Sequence, residues 1–313
     1  EKIGRPMTLA ADGSVLRPVP KRRLLEDERW LALCLLLPTV ALLGLFIAYP
    51  FVKGVILAVT NTRVGVPGDF VGLANFYKIW DDSIFRTAAY NTIVYTAITT
   101  VFKLALGLWL AVLLNRHFKG KAFIRAFILL PFIVPTVLST FAWKWMFDPT
   151  FSVLNWMLYK GGVITTRINW LGDPDLAMLS IMIVNVWRGV PFFAISLLAG
   201  LQTISPELHE AAAIDGARPW QRFWHVTWPL LLPVTMVVVL FSVIQTFADF
   251  QLVYVLTEGG PANATHLFAT YAYQIGIRTG LLSEGAAISL AMFPVLFLVV
   301  IFQLLYIRRV EVR

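Results

Sequence analysis

Six long apolar segments determine what this chain can fold into. A helix needs about 20 residues to cross the roughly 30 Å hydrocarbon core of a membrane. The segments that reach this length are 30–57, 88–115, 126–147, 176–201, 230–256 and 285–306. Only 14% of the residues are charged, whereas soluble domains have about a quarter. The sequence therefore predicts an all-α integral membrane protein with six transmembrane helices.

Prolines recur within these segments. They are Pro38, Pro50, Pro131, Pro135, Pro191, Pro233 and Pro294. Transmembrane helices tolerate proline because neighbouring helices can satisfy the carbonyl groups that it leaves without a partner. We therefore expect several of the spans to be kinked.

Few residues suggest metal or redox chemistry. The single cysteine, Cys34, excludes an intrachain disulfide and a thiolate metal cluster. The histidines show no metal-ligand spacing and lie in or beside predicted loops: His117, His209, His225 and His266. We expect these histidines to be solvated or interfacial, and we expect neither a metal site nor catalysis in this chain.

Basic residues are distributed unevenly between the two sides of the predicted membrane. Most lysines and arginines fall in the N-terminal segment, the 116–125 loop, the 202–229 loop and the C-terminal tail. Cytoplasmic loops collect positive charge, so both termini are predicted to be cytoplasmic. The net charge of +8 then reflects topology and contact with anionic lipid rather than nucleic-acid binding. The predicted organisation is a cytoplasmic segment 1–29, a transmembrane domain 30–308 and a tail 309–313, with external loops at 58–87, 148–175 and 257–284.

The cytoplasmic loop 202–229 has an unusual pattern of helix signals. Ser205-Pro206 predicts a helix start, and Asp215-Gly216 predicts its end, because glycine adopts a left-handed conformation without steric cost. A second short helix is predicted from Pro219, with Trp220, Phe223 and Trp224 on one side. Residues 205–229 would then form two short helices joined at a glycine, which we call the elbow. Its alanines and carboxylates suit either docking to another protein or an ordinary amphipathic helix at the membrane surface.

The elbow also resembles a known family. Glu210-Ala211-Ala212, Asp215-Gly216-Ala217, Phe223, Val226 and Pro229 are similar to the EAA loop of permease subunits in binding-protein-dependent ABC importers. Val226 and Trp228 depart from the usual isoleucine and leucine. Three further stretches resemble the carbohydrate-uptake branch, which includes maltose and glycerol-3-phosphate permeases: 187–193, 255–261 and 285–289. The resemblance covers residues 30–308 and is to the first subunit of the permease pair.

This resemblance implies a type I ABC importer permease fold in a bacterial or archaeal cytoplasmic membrane. It implies that the elbow carries a coupling helix that docks on a separate ATPase, through Glu210, Ala211, Ala212, Ala213, Asp215, Gly216 and Ala217. The expected partners are an ATP-binding subunit dimer, a second homologous permease subunit and an extracytoplasmic solute-binding protein. No cofactor is expected in this chain, and the partner ATPase would bind ATP and Mg. Consistently, the sequence has no G-x-x-x-x-G-K-[ST] motif.

Polar residues within the spans are the candidates for the solute path, because such residues usually face a cavity. One helical face of the fourth span carries Asn185, Arg188, Phe192 and Ser196, and the fifth span carries Ser242, Gln245 and Asp249. With Trp187, Phe193 or Phe250 nearby, these groups would suit a polyhydroxylated solute. Alternatively, Arg188 pairs with Asp249 and the amides only hold helices together. Lys103 could line the cavity or pair with Asp249.

Two functions remain open at this point. One is the membrane-spanning subunit of an ATP-driven sugar importer, and the other is a self-sufficient secondary transporter or channel for a small polar solute. The second gives no reason for a helix-glycine-helix elbow. An Arg188 that faced the cavity unpaired would favour an anionic sugar derivative over a neutral oligosaccharide.

Overall fold

The computed structural model describes residues 28–117 and 119–311, with side chains from Trp30 to Tyr306 apart from Phe118. The described residues are mostly helical, and the predicted N-terminal segment 1–29 lies almost entirely outside them. The helices are α1 (28–58, with a π-helical turn at Gly44–Ala48), α2 (Ala74–Asp81), α3 (Ser83–Asn115), α4 (Lys121–Ile133), α5 (Thr136–Met146), α6 (Val153–Lys160), α7 (Pro174–Gln202), α8 (Pro206–Ile214), α9 (Pro219–Phe247, with a π-helical turn at Phe223–Thr227), α10 (Gln251–Thr257), α11 (Phe268–Tyr273, extended by a π-helical turn to Arg278) and α12 (Leu282–Glu311).

Five of these helices are long and apolar enough to cross a membrane, and α4 with α5 makes a sixth span if the bent pair is counted as one. The all-α, six-span prediction is therefore confirmed. The third span, predicted as one helix over 126–147, is instead broken by a bend of 89°. Val134 adopts an extended conformation (ψ 131°) immediately before Pro135, because proline disfavours the helical conformation of the residue that precedes it.

The fifth span also differs from its prediction as a single helix over 230–256. Helix α9 ends at Phe247, and α10 begins at Gln251 after a break at Ala248, Asp249 and Phe250. The side chain of Asp249 accepts a hydrogen bond from the backbone amide of Leu252 (3.4 Å), which satisfies a donor in the first turn of α10. The break occurs without glycine or proline, so local propensity gives no signal for it.

The first half of the elbow matches its prediction and the second half does not. Helix α8 begins at Pro206 and ends at Ile214, and Gly216 follows it with a φ of +79°. The amides of Gly216 and Ala217 donate to the carbonyls of Ala213 (3.1 Å) and Ala212 (2.9 Å), the pattern of a Schellman cap. The predicted second short helix is not separate, because the chain continues from Pro219 through a π-helical turn into the span α9.

The chain divides into two compact units, residues 1–53 and 54–313. In the first unit, α1 is apolar on all its faces, as expected of a span that meets lipid. In the second unit, α3 and α7 make the most extensive contact between two of the described helices. A Cβ atom added to Gly107 would lie 2.3 Å from the Cβ of Phe193, so α7 rests directly on the backbone of α3. Small residues permit such close packing between transmembrane helices.

Candidate functional site

A cavity of about 620 Å³ lies among the helices of the second unit. Its walls come from α3, α7, α9, the break after α9, and the bend between α4 and α5. Five of the six predicted solute-path residues line it: Asn185, Arg188, Ser242, Gln245 and Asp249. Ser196 lies outside this lining. The structure thus brings together polar groups that the sequence assigned to two separate helix faces.

Asp249 holds three helices together at the cavity. Its Oδ2 atom accepts hydrogen bonds from the hydroxyl of Tyr95 on α3 (2.8 Å) and from the amide nitrogen of Asn185 on α7 (3.1 Å). Tyr95 is fully buried. Because Oδ1 also contacts the amide of Leu252, both carboxylate oxygens have protein partners.

The two basic residues of the cavity do not pair with this carboxylate. Among the described side chains, the salt bridges within 4 Å do not include Arg188 or Lys103. The Nε atom of Arg188 is buried without a hydrogen-bond partner, and the Nζ atom of Lys103 donates to the hydroxyl of Thr246 (2.7 Å). Lys103 reaches this position because Gly189 leaves space for it: a Cβ there would lie 2.2 Å from the Cδ of Lys103. Neither basic residue therefore forms a salt bridge with Asp249 among the described side chains, although both are close enough to interact with its charge.

Aromatic rings form one wall of the cavity. Phe192 stacks on Phe132 with ring centroids 5.7 Å apart and contacts Phe241 at 5.2 Å. Phe193 and Phe250 also line the cavity, as predicted, whereas Trp187 packs edge-on against Trp143 outside its lining. The prediction from sequence missed Phe132, Thr136, Phe241, Thr246 and Gln251. Pro131 and Pro135 predict a kink beside Phe132 and Thr136. Sequence spacing alone does not show that this kink faces α7.

The elbow presents an exposed surface on helix α8. Glu210, Ala211, Ala213, Asp215 and Gly216 are exposed, while Ala212 and Ala217 are half-buried. Ile214 is 88% exposed, which is unusual for a large apolar side chain and was missed by the prediction. Beside it lies a cleft of about 320 Å³ between α8 and the start of α9, lined in part by Asp215, Arg222 and His225.

The start of α9 carries the aromatic side that the sequence predicted. Trp224 contacts Trp220 with ring centroids 5.4 Å apart, Phe223 at 5.3 Å and Trp228 at 5.8 Å. Trp220 is 70% exposed. Amphipathic aromatic residues of this kind are typical of the boundary between membrane and water.

One histidine differs from its prediction. His266 was expected to be solvated or interfacial, but only 1% of its surface is exposed. It packs behind the Gly259-Gly260 turn, where a Cβ at Gly259 would lie 2.1 Å from the imidazole. Burial lowers the pKa of His266, because the charged imidazolium loses its hydration.

Similarity to known proteins agrees with this architecture. Residues 103–312 match the family described as binding-protein-dependent transport system inner membrane component. The trehalose/maltose transport system permease protein MalF of Thermococcus litoralis is 34% identical over 282 residues, which cover 90% of this chain and 94% of that protein. The sulfoquinovosyl glycerol transport system permease protein SmoG of Agrobacterium fabrum is 34% identical and covers 85% of this chain and 86% of that protein.

A solved structure shares the fold. It is a bacterial ABC transporter involved in the import of the acidic polysaccharide alginate, and it matches with a TM-score of 0.79 at 23% sequence identity, over 90% of this chain and 96% of that one. The broken spans, the central cavity and the exposed elbow thus occur in a chain whose sequence and fold agree with one family. This protein belongs to the binding-protein-dependent transport system inner membrane components, the permease subunits of ABC importers.

Proposed function

We propose that this chain forms half of the membrane pathway for a sugar or sugar-like solute in an ATP-driven importer. The observation that carries this proposal is the cavity, in which amide, hydroxyl and carboxylate groups face an aromatic wall. A sugar needs both surfaces, because its hydroxyl groups require hydrogen-bond partners and its ring faces are apolar. Relatives named for trehalose or maltose and for sulfoquinovosyl glycerol support the same class of solute.

The elbow couples this pathway to ATP hydrolysis in a partner. Helix α8 offers the small, flat surface of its alanines, flanked by Glu210, Asp215 and the exposed Ile214. A groove in an ATPase subunit can bury that surface while its basic groups pair with the carboxylates. The chain contributes no nucleotide site of its own, and ATP and Mg bind to the ATPase dimer.

The complete importer includes two further partners. A second homologous permease supplies the other half of the pathway, and an extracytoplasmic solute-binding protein delivers the solute. Both termini and the elbow lie on the cytoplasmic side, where the basic loops favour them.

Replacement of Glu210 by lysine or of Gly216 by proline tests the coupling role. Proline fixes φ near −65° and cannot adopt the +79° of Gly216, so the elbow would lose its angle. In proteoliposomes that contain the complete importer, both variants should lose ATP-dependent uptake while the far-ultraviolet circular dichroism of the complex is unchanged. Asp69→Lys, the same kind of charge change on an exposed loop residue outside the elbow, and Gly216→Asn, which tolerates a positive φ, should both transport normally.

Normal uptake by Glu210→Lys and Gly216→Pro would refute the coupling role of the elbow. Purification of the chain from its native membrane in mild detergent tests the larger proposal. An ATPase and a second six-span protein should be recovered with it. If the chain were recovered alone and transported solute without ATP after reconstitution, it would instead be a secondary transporter.

A further inference from the structure

We propose that Arg188 selects the solute by binding an anionic group, so that the cavity takes a carboxylated or sulfonated sugar derivative rather than a neutral one. This inference rests on the proposed function, because it assumes that the cavity holds the solute. It narrows the solute class by the charge of one side chain, which forms no salt bridge with the residues that the structure describes.

Arg188 lines the cavity without a salt bridge to any described residue. Among the described residues no carboxylate lies within 4 Å of its guanidinium, and its Nε atom is buried without a hydrogen-bond partner. Burial of a charged group is costly unless an opposite charge or hydrogen bonds compensate it. Within a membrane-spanning segment such residues normally pair with one another. The missing partner of Arg188 is therefore a group that enters the cavity.

The nearest acid of the cavity is already engaged. Asp249 is the only acidic side chain among the described residues that line the cavity. It receives hydrogen bonds from Tyr95 and Asn185 on one oxygen and from the amide of Leu252 on the other. Rotation of Asp249 toward Arg188 would leave the fully buried Tyr95 hydroxyl without an acceptor. The carboxylate is thus held by the contacts that join the helices.

Lys103 adds to the positive charge of the cavity without replacing Arg188. Lys103 as a whole is only 3% exposed, and its ammonium group already donates a hydrogen bond to Thr246. The lining residues therefore contribute two basic groups and one acid. A solute that carries one negative charge balances this set, whereas a neutral sugar leaves one net positive charge in the cavity.

The aromatic wall lies next to Arg188 along the same helix face. Phe192 is one turn further along α7 and packs with Phe132 and Phe241. A sugar ring placed against this wall can direct an acidic substituent to the guanidinium. The planar guanidinium can then form two parallel hydrogen bonds with a carboxylate or sulfonate, a geometry that a lysine cannot reproduce.

A matched pair of solutes tests the inference without the solute-binding protein. Glucuronosylglycerol and glucosylglycerol differ only in a carboxylate in place of a hydroxymethyl group. We would measure the binding of each to the purified complex of both permeases and the ATPase by isothermal titration calorimetry. A hydrogen-bonded charge pair contributes about 1.5–3 kcal/mol, so the parent complex should bind the carboxylated solute about 10- to 160-fold more tightly.

Variants identify the residue responsible. Arg188→Gln should reduce the preference to less than about 3-fold, which corresponds to less than about 0.7 kcal/mol, and Arg188→Lys should retain part of it. Arg278→Gln is the matched control, because Arg278 pairs with Glu258 in an exposed loop outside the cavity, and it should keep the full preference. Equal binding of both solutes by the parent, or an undiminished preference in Arg188→Gln, would overturn the role of Arg188 and leave the importer function intact. Failure of the complete importer to take up any sugar derivative with ATP would overturn the proposed function and this inference with it.

Discussion

Removal of the Asp249 side chain should destabilise the protein through the groups that it leaves unpaired. In Asp249→Ala the hydroxyl of Tyr95 and the side-chain amide of Asn185 lose their acceptor. Tyr95 is fully buried and Asn185 is 8% exposed, so water does not readily replace the carboxylate. Each unsatisfied buried group costs about 1–3 kcal/mol, which predicts a loss of about 2–6 kcal/mol in the free energy of unfolding.

Asp249→Asn separates the loss of the acceptor from the loss of the charge. The asparagine keeps one oxygen, which can occupy the position of Oδ2 and accept from both Tyr95 and Asn185. Only the long contact with the amide of Leu252 is lost (3.4 Å), together with the added strength of a charged acceptor. We expect a cost of about 1 kcal/mol, well below that of the alanine variant.

The order of stability of these variants can be measured by thermal unfolding of the detergent-purified complex. Unfolding is followed by tryptophan fluorescence at one fixed scan rate. A change of 1 kcal/mol shifts Tm by about 2–4 °C in domains of 150–250 residues and by less in longer chains, so at about 2 °C per kcal/mol Asp249→Ala should melt about 4–12 °C below the parent. Gln251→Ala is the control, because Gln251 is an exposed residue of the same cavity, and it should melt near the parent. A parent-like Tm for Asp249→Ala would show that Asp249 does not hold α3, α7 and α10 together.

Two further predictions concern a close contact and a buried histidine. Gly189→Ala should displace Lys103, because the new Cβ would lie 2.2 Å from its Cδ, and should cost about 1–3 kcal/mol by overpacking. The double variant with Lys103→Ala should recover part of that loss in the same melting assay, and strictly additive losses would contradict the contact. Burial lowers the pKa of His266 in the folded protein, so the unfolded chain binds a proton more readily. The contribution of neutral His266 to the free energy of unfolding should therefore be complete above about pH 6.5 and fall as the pH decreases below that value. A plot of Tm against pH for His266→Gln should lack this part of the slope.

Helix periodicity predicted much of the cavity. Asn185 and Arg188 share a face of α7, and Ser242 and Gln245 share a side of α9, because residues three, four or seven apart lie on one face of a helix. Asp249 lines the same cavity from the break after α9, so helical spacing does not account for its position. The same reasoning failed for Ser196. Ser196 is half-buried and lies about two helical turns beyond Arg188, outside the lining of the cavity. Periodicity assigns a residue to a face but does not say how far the cavity extends along it.

Local chemistry was equally informative at the elbow. Pro206 and Gly216 mark the ends of α8 in the structure as they do in the sequence, because the allowed φ of proline and glycine depends on the residue alone. The continuation of Pro219 into α9 was not predicted. A π-helical turn at Phe223–Thr227 carries the helix past Trp228 and Pro229, and sequence patterns for such turns are weak.

The sequence by itself determined the class of the protein, the number of spans and the helix faces, since these depend on length, hydropathy and period. Only the tertiary structure decided which polar groups meet. Tyr95 and Asp249 are 154 residues apart, and Lys103 bonds to Thr246 rather than to that carboxylate. The break at 248–250 likewise depends on partners contributed by α3 and α7. Hydrogen bonds of this kind are set by the packing of distant helices, and that packing directs Asp249 to Tyr95 and Asn185 rather than into a salt bridge with Arg188.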